Sequence, residues 1–95
     1  MSEALPTAVS DDDRARVTTW TFRQAGATTG PHTHEFDYIV VPVTGGTFQV
    51  TGADGSVTAM TQVPGVPYSR PAGTTHNVTS TSGHEAVFVE IELKR

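Results

Sequence analysis

His32 and His34 stand one residue apart in the stretch Gly30-Pro31-His32-Thr33-His34-Glu35-Phe36-Asp37-Tyr38. In an extended segment, side chains at i and i+2 point to the same face. Both imidazoles can therefore reach one ion from a single element. A third histidine, His76, lies in a later run that is also punctuated by glycine and proline. The two segments describe one expected site, a divalent transition metal held by His32, His34 and His76 inside a small β-barrel. The donors do not name the metal: iron(II), zinc, nickel, manganese and copper all accept imidazole nitrogen.

The rest of the chain supplies the strands such a site requires. Sixteen threonines and twelve valines stand against two leucines and two isoleucines, a β-branched excess that favours strands. No long window carries a helical period, and glycine and proline divide the chain into short pieces. Extended segments are expected over 17–24, 32–43, 47–51, 56–62, 68–70, 76–80 and 85–93, with Asp54-Gly55 marking a hairpin. Residues 1–13 read as a loose N-terminal tail and 14–95 as the barrel domain. Trp20, Phe22 and Phe48 are expected in the core. In the last segment Val87, Val89, Ile91 and Leu93 share one face, while Ala86, Phe88, Glu90 and Glu92 share the other. Apolar residues on both faces imply cover on both sides, either by the N-terminal segment or by a second copy of the chain, so a homodimer is expected.

Composition narrows the partners. Ninety-five residues form one small domain. The chain has no cysteine, so neither disulfides nor thiolate metal ligands are available. The formal net charge is −4 without a basic cluster, which argues against nucleic acid or an anionic membrane surface as partner. Residues 1–13 lack the basic start and apolar run of a signal peptide, and no stretch approaches a membrane span. A soluble cytoplasmic protein with a small-molecule substrate is expected.

Two motifs then carry a resemblance. Gly26, His32, His34 and Gly45 fall on G-x(5)-H-x-H-x(3,4)-E-x(6)-G, with Tyr38 at the glutamate. Gly65, Pro71, Gly73 and His76 fall on G-x(5)-P-x-G-x(2)-H-x(3)-N, with Ser80 at the asparagine. Eight of ten signature positions thus agree, and the chain resembles the cupins. The resemblance implies an all-β, single-domain jelly-roll barrel. It implies less about reaction, because cupins host many chemistries. Most metal-binding cupins are taken to use three histidines and a glutamate. Tyr38 removes that carboxylate and its charge. The site then resembles the three-histidine cupins, which include thiol and β-diketone dioxygenases, and this favours iron(II).

On this reading the protein is an O₂-dependent dioxygenase acting on a small chelating anion. Tyr38, a neutral phenol with an ordinary pKa of about 10, is the catalytic residue that orients the bound group. A non-redox isomerase, dehydratase or hydrolase is the alternative, ranked second because Tyr38 is the only obvious inward-facing base. A non-catalytic ligand-binding barrel is the third. Glu35 and Asp37 have the opposite parity and are expected to face away. Arg70 reads as a surface residue within reach of a substrate carboxylate at the barrel mouth. His84 reads as a surface histidine.

Overall fold

The β-branched segments fold into nine strands, and the computed structural model describes residues 2–94. They are β1 (Leu5–Asp11), β2 (Ala15–Phe22), β3 (His32–Thr33), β4 (Asp37–Pro42), β5 (Gly46–Gly52), β6 (Val57–Gln62), β7 (Tyr68–Arg70), β8 (Thr75–Ser80) and β9 (Ala86–Leu93). They form a five-stranded sheet, β1-β2-β9-β4-β7, and a four-stranded sheet, β3-β8-β5-β6, every pair antiparallel. The all-β barrel expected from the sequence is the fold observed. Among the described residues no helix is long and apolar enough to cross a membrane.

The inner faces of the two sheets meet at Phe22, Phe48 and Phe88. Their ring centroids lie 5.2, 5.5 and 5.9 Å apart, in edge-on or tilted contacts that suit aromatic quadrupoles. Ala4, Ala27, Tyr38, Val40, Val78 and Ala86 complete this buried cluster, with Trp20 partly buried against it. The motif glycine Gly45 sits where another residue would not fit. Its φ is +72°, and a β-carbon there would lie 2.7 Å from Pro64 Cδ and 2.9 Å from the Gln62 carbonyl oxygen.

Three expectations need correction. The segment Leu5–Asp11, expected in a loose tail, forms β1, paired along β2 at the sheet edge with an irregularity between Ala8 and Ser10. Its residues are exposed on both faces, so no hydrophobic alternation marked it, and Pro6 is tolerated because the strand is an edge. The expected strand over 32–43 is interrupted at 34–36. There the chain leaves the sheet of β3 for the sheet of β4, and the His34 backbone pairs instead with the 73–74 turn. Finally, β1 lies beside β2 and not over β9, so the N-terminal segment does not cover the Val87, Val89 and Ile91 face. That face is half-exposed.

Candidate metal centre

His32 is on β3, directly opposite His76 on β8. His34 follows the end of β3, where its N–H donates to the Thr74 carbonyl (2.9 Å) and its carbonyl accepts from the Gly73 N–H (2.8 Å). Gly73 has φ +89°, a left-handed turn that glycine adopts without strain. The Pro71-Ala72-Gly73 turn of the second motif thus clamps the first, and β8 leads from it to His76.

The three imidazoles converge. His34 Nε2 lies 3.1 Å from His32 Nε2 and 3.1 Å from His76 Nε2. His32 Nδ1 lies 2.9 Å from the Gly30 carbonyl, a pure acceptor. Nδ1 therefore carries the proton, and Nε2 turns a lone pair inward. Burial, reinforced by the neighbouring histidines, lowers the pKa of both His34 and His76 to about 4, so both are neutral near pH 7. Neutral nitrogens at this spacing either share a proton or face one cation. Two bonds of about 2.1 Å meeting near a right angle place their nitrogens about 3.0 Å apart. The spacing and the donor set fit one divalent metal ion.

Tyr38 points inward, as its parity requires, and is 2% exposed. Its ring stacks on His34, with centroids 3.7 Å apart and planes 18° from parallel. Burial raises its pKa to about 12, and among the described residues the phenol oxygen closes no well-formed hydrogen bond. It is a neutral donor with capacity to spare. Trp20 backs the opposite side of the cluster, stacked over His32. Glu35 and Asp37 are exposed, as expected. Asp37 accepts from the Ala72 N–H (2.7 Å). His84 is exposed, with Nδ1 on the Glu85 carbonyl. Ser80 is buried and accepts from the Ser82 N–H, a packing role.

The sequence reading missed two carboxylates. The inner face of β9 is Ala86, Phe88, Glu90 and Glu92, and Glu90 and Glu92 are 8% and 7% exposed. Glu92 is held by Arg16 through two bonds, Nε to Oε1 at 2.7 Å and Nη2 to Oε2 at 2.9 Å. Those bonds lower the Glu92 pKa. Glu90 has no such partner. Burial, with Glu92 alongside, raises its pKa to about 7, although the facing Trp20 indole, which closes no well-formed hydrogen bond, holds the shift back. Its Oε2 lies 3.8 Å from His34 Nε2. With His34 neutral this is a contact rather than an ion pair. The signal that could have found these residues is the parity Glu90 shares with Phe88, paired with Trp20, which packs against the core.

A cavity of about 250 Å³ opens from this cluster. Its walls are mostly apolar, with Val40, Val50, Met60, Val78 and Phe88 facing His32, His76, Tyr38, Glu90 and Arg70.

Two facing antiparallel sheets, with three histidines from two glycine-bounded motifs at one end of the interior, define a cupin, and the chain belongs to the cupins. It is similar to the beta-alanine degradation protein BauB of Pseudomonas aeruginosa, 46% identical over 92 residues that cover 97% of this chain and 95% of that protein. It is also similar to a cupin domain from Bordetella pertussis Tohama I, at 42% identity and a TM-score of 0.93 over 99% of this chain and 96% of that one. A cupin superfamily protein from Desulfitobacterium hafniense DCB-2 shares the fold at 18% identity and a TM-score of 0.74, over 98% of this chain and 79% of that one. Scanned against profiles of protein families, the chain matches none.

Proposed function

We propose that this cupin is a metal-dependent enzyme of small anions, with one divalent transition metal on His32, His34 and His76 and proton transfer assigned to Glu90. The observation that carries the proposal is the convergence of three imidazole nitrogens at 3.1 Å spacing beside an inward carboxylate. A divalent ion there would supply Lewis-acid polarisation of a substrate oxygen or, as iron(II), oxygen activation. Glu90 stands on the wall of the same cavity, within one water molecule's reach of the histidines, and takes or returns the substrate proton. Tyr38 donates its free O–H to the bound group and fixes its orientation. The apolar wall excludes bulk water, which strengthens each of these contacts.

Glu90 favours non-redox chemistry over the dioxygenase reading, because it supplies the base whose apparent lack ranked that chemistry second. The dioxygenase reading is favoured by the replacement of the motif carboxylate by Tyr38. BauB is named for β-alanine degradation; β-alanine is a three-carbon amino acid, and short carboxylates of that size suit this cavity. Elemental analysis of untagged protein, beside a His32→Ala/His76→Ala control, is expected to find one equivalent of metal in the first and none in the second. Turnover of short oxo and amino acids is then measured with zinc under strict anaerobiosis, and with iron(II) in air. Anaerobic turnover that falls about 100-fold in Glu90→Gln supports the proposal, whereas turnover only with iron and oxygen replaces it with the dioxygenase. The homodimer belongs to the same proposal, through the half-exposed outer face of β9 that no segment covers among the described residues. Sedimentation at micromolar concentration is expected to give twice the monomer mass of 10.1 kDa.

A further inference from the structure

We infer that Arg70 is the anchor for a substrate carboxylate, and that it restricts the site to short carboxylates bearing a second donor atom for the histidines. The inference rests on the metal reading above and assigns the other end of the same ligand. Register places the residue: Arg70 is opposite Tyr38, and Tyr68 is opposite Val40. Directly opposed residues share a face of a sheet, and Tyr38 and Val40 are both buried in the interior. Arg70 and Tyr68 therefore project to the inner side, and both line the cavity. Pro71 ends the strand at that point, so the guanidinium sits at the cavity mouth and remains exposed.

The guanidinium is held but not neutralised. Its Cζ lies 4.6 Å from the Tyr68 ring centroid, and Nη1 donates to the Ser69 carbonyl (2.8 Å). The carboxylates bound by cations among the described residues are Glu92, with Arg16, and Asp11, with Lys94; none is bound by Arg70. A cation pre-positioned on an aromatic face, with most of its donors free, is a receptor for a planar carboxylate. The cavity's own carboxylate, Glu90, stands on β9, two strands from Arg70 across the same sheet, beside His34, and disfavours an anion at that end of the cavity. A carboxylate substrate is thus oriented in one sense, charge toward Arg70 and second donor toward the histidines. The volume of about 250 Å³ lies below the roughly 300–1,000 Å³ of pockets for drug-sized ligands, and the apolar walls offer few other polar partners. Long or multiply charged substrates are excluded.

The test uses acetoacetate, a short 3-oxo acid, and methyl acetoacetate, its neutral ester, as probes. Each is titrated into cobalt(II)-loaded protein, and binding is read from the visible cobalt spectrum. Wild type is expected to bind the acid about tenfold or more tightly than the ester. Arg70→Ala is expected to lose that preference while its ester affinity and cobalt content stay at wild-type values, and Arg70→Lys to keep part of it. Because the Arg70 side chain is exposed, circular dichroism should report an unchanged fold. Full cobalt content with undiminished acid binding in Arg70→Ala would overturn the inference and leave the metal reading intact. No cobalt in wild type would overturn the metal reading, and this inference with it.

Discussion

The interior of the barrel has two halves, and three strands change character between them. Along β9, Ala86 and Phe88 give way to Glu90 and Glu92; along β2, Phe22 and Trp20 to Thr18 and Arg16; along β8, Ser80 and Val78 to His76. In one half three phenylalanines pack against one another around alanine and valine. In the other, three histidines, two glutamates and a tyrosine crowd together, with the Tyr38 oxygen unpaired among the described residues. Unpaired buried polar groups cost stability, and proteins tolerate them where function needs them. Under the proposed function, folding falls to the aromatic half and ligand binding to the polar half.

The largest break of that comparison comes from the aromatic side. Phe22→Ala empties the middle of the aromatic cluster and is expected to lower unfolding stability by about 3–5 kcal/mol. Chemical denaturation of the metal-free protein measures it. On the polar side, removing the metal with a chelator is expected to lower stability by about 3–4 kcal/mol, if the free ion had stood at hundred- to thousandfold its dissociation constant. The His32→Ala/His76→Ala variant should then unfold within about 1 kcal/mol of the chelated wild type. A double variant far less stable than chelated wild type would show that the histidines hold the barrel together themselves, and the two halves would no longer differ in kind.

The same division explains what the sequence could convey. The histidines were legible because H-x-H and P-x-G-x-x-H spacings encode a turn and a strand parity together. Parity also placed Tyr38 correctly, even though the strand breaks between it and His34, because the break preserves the alternation. Glu90 and Glu92 were not legible. Hydrophobicity alone cannot choose between the two faces of β9, since Val87, Val89 and Ile91 are as apolar as a core face and a one-residue slip exchanges them. Pairing with Trp20 and Phe22 on one side, and with Val40 on the other, makes that choice. Arg70 was legible as a residue near the mouth; its free guanidinium was not, because a missing acid partner is a three-dimensional fact. Strand β1 left no trace because it buries almost nothing and is held chiefly by backbone pairing with β2.

Two smaller predictions separate the glutamates. Arg16→Met removes both bonds to Glu92 and leaves a buried carboxylate beside Glu90. Since the Arg16 side chain is itself 37% exposed, the expected loss is about 2 kcal/mol rather than the larger cost of breaking a fully buried pair. Glu90→Gln should act in the opposite direction. Glu90 carries no ion pair, and its carboxylate is buried against Glu92, so the protein bears a desolvation cost at neutral pH that an amide of equal size avoids. The metal-free Glu90→Gln protein is expected to be about 1 kcal/mol more stable than wild type at pH 7.5, as thermal or chemical denaturation would show. Of the four changes this is the only one in which the fold gains, which is the expected mark of a group retained for chemistry. A loss of stability instead would place Glu90 with Glu92 among the residues that stabilise the five-stranded sheet, and would move the boundary between the two halves one residue pair further along β9.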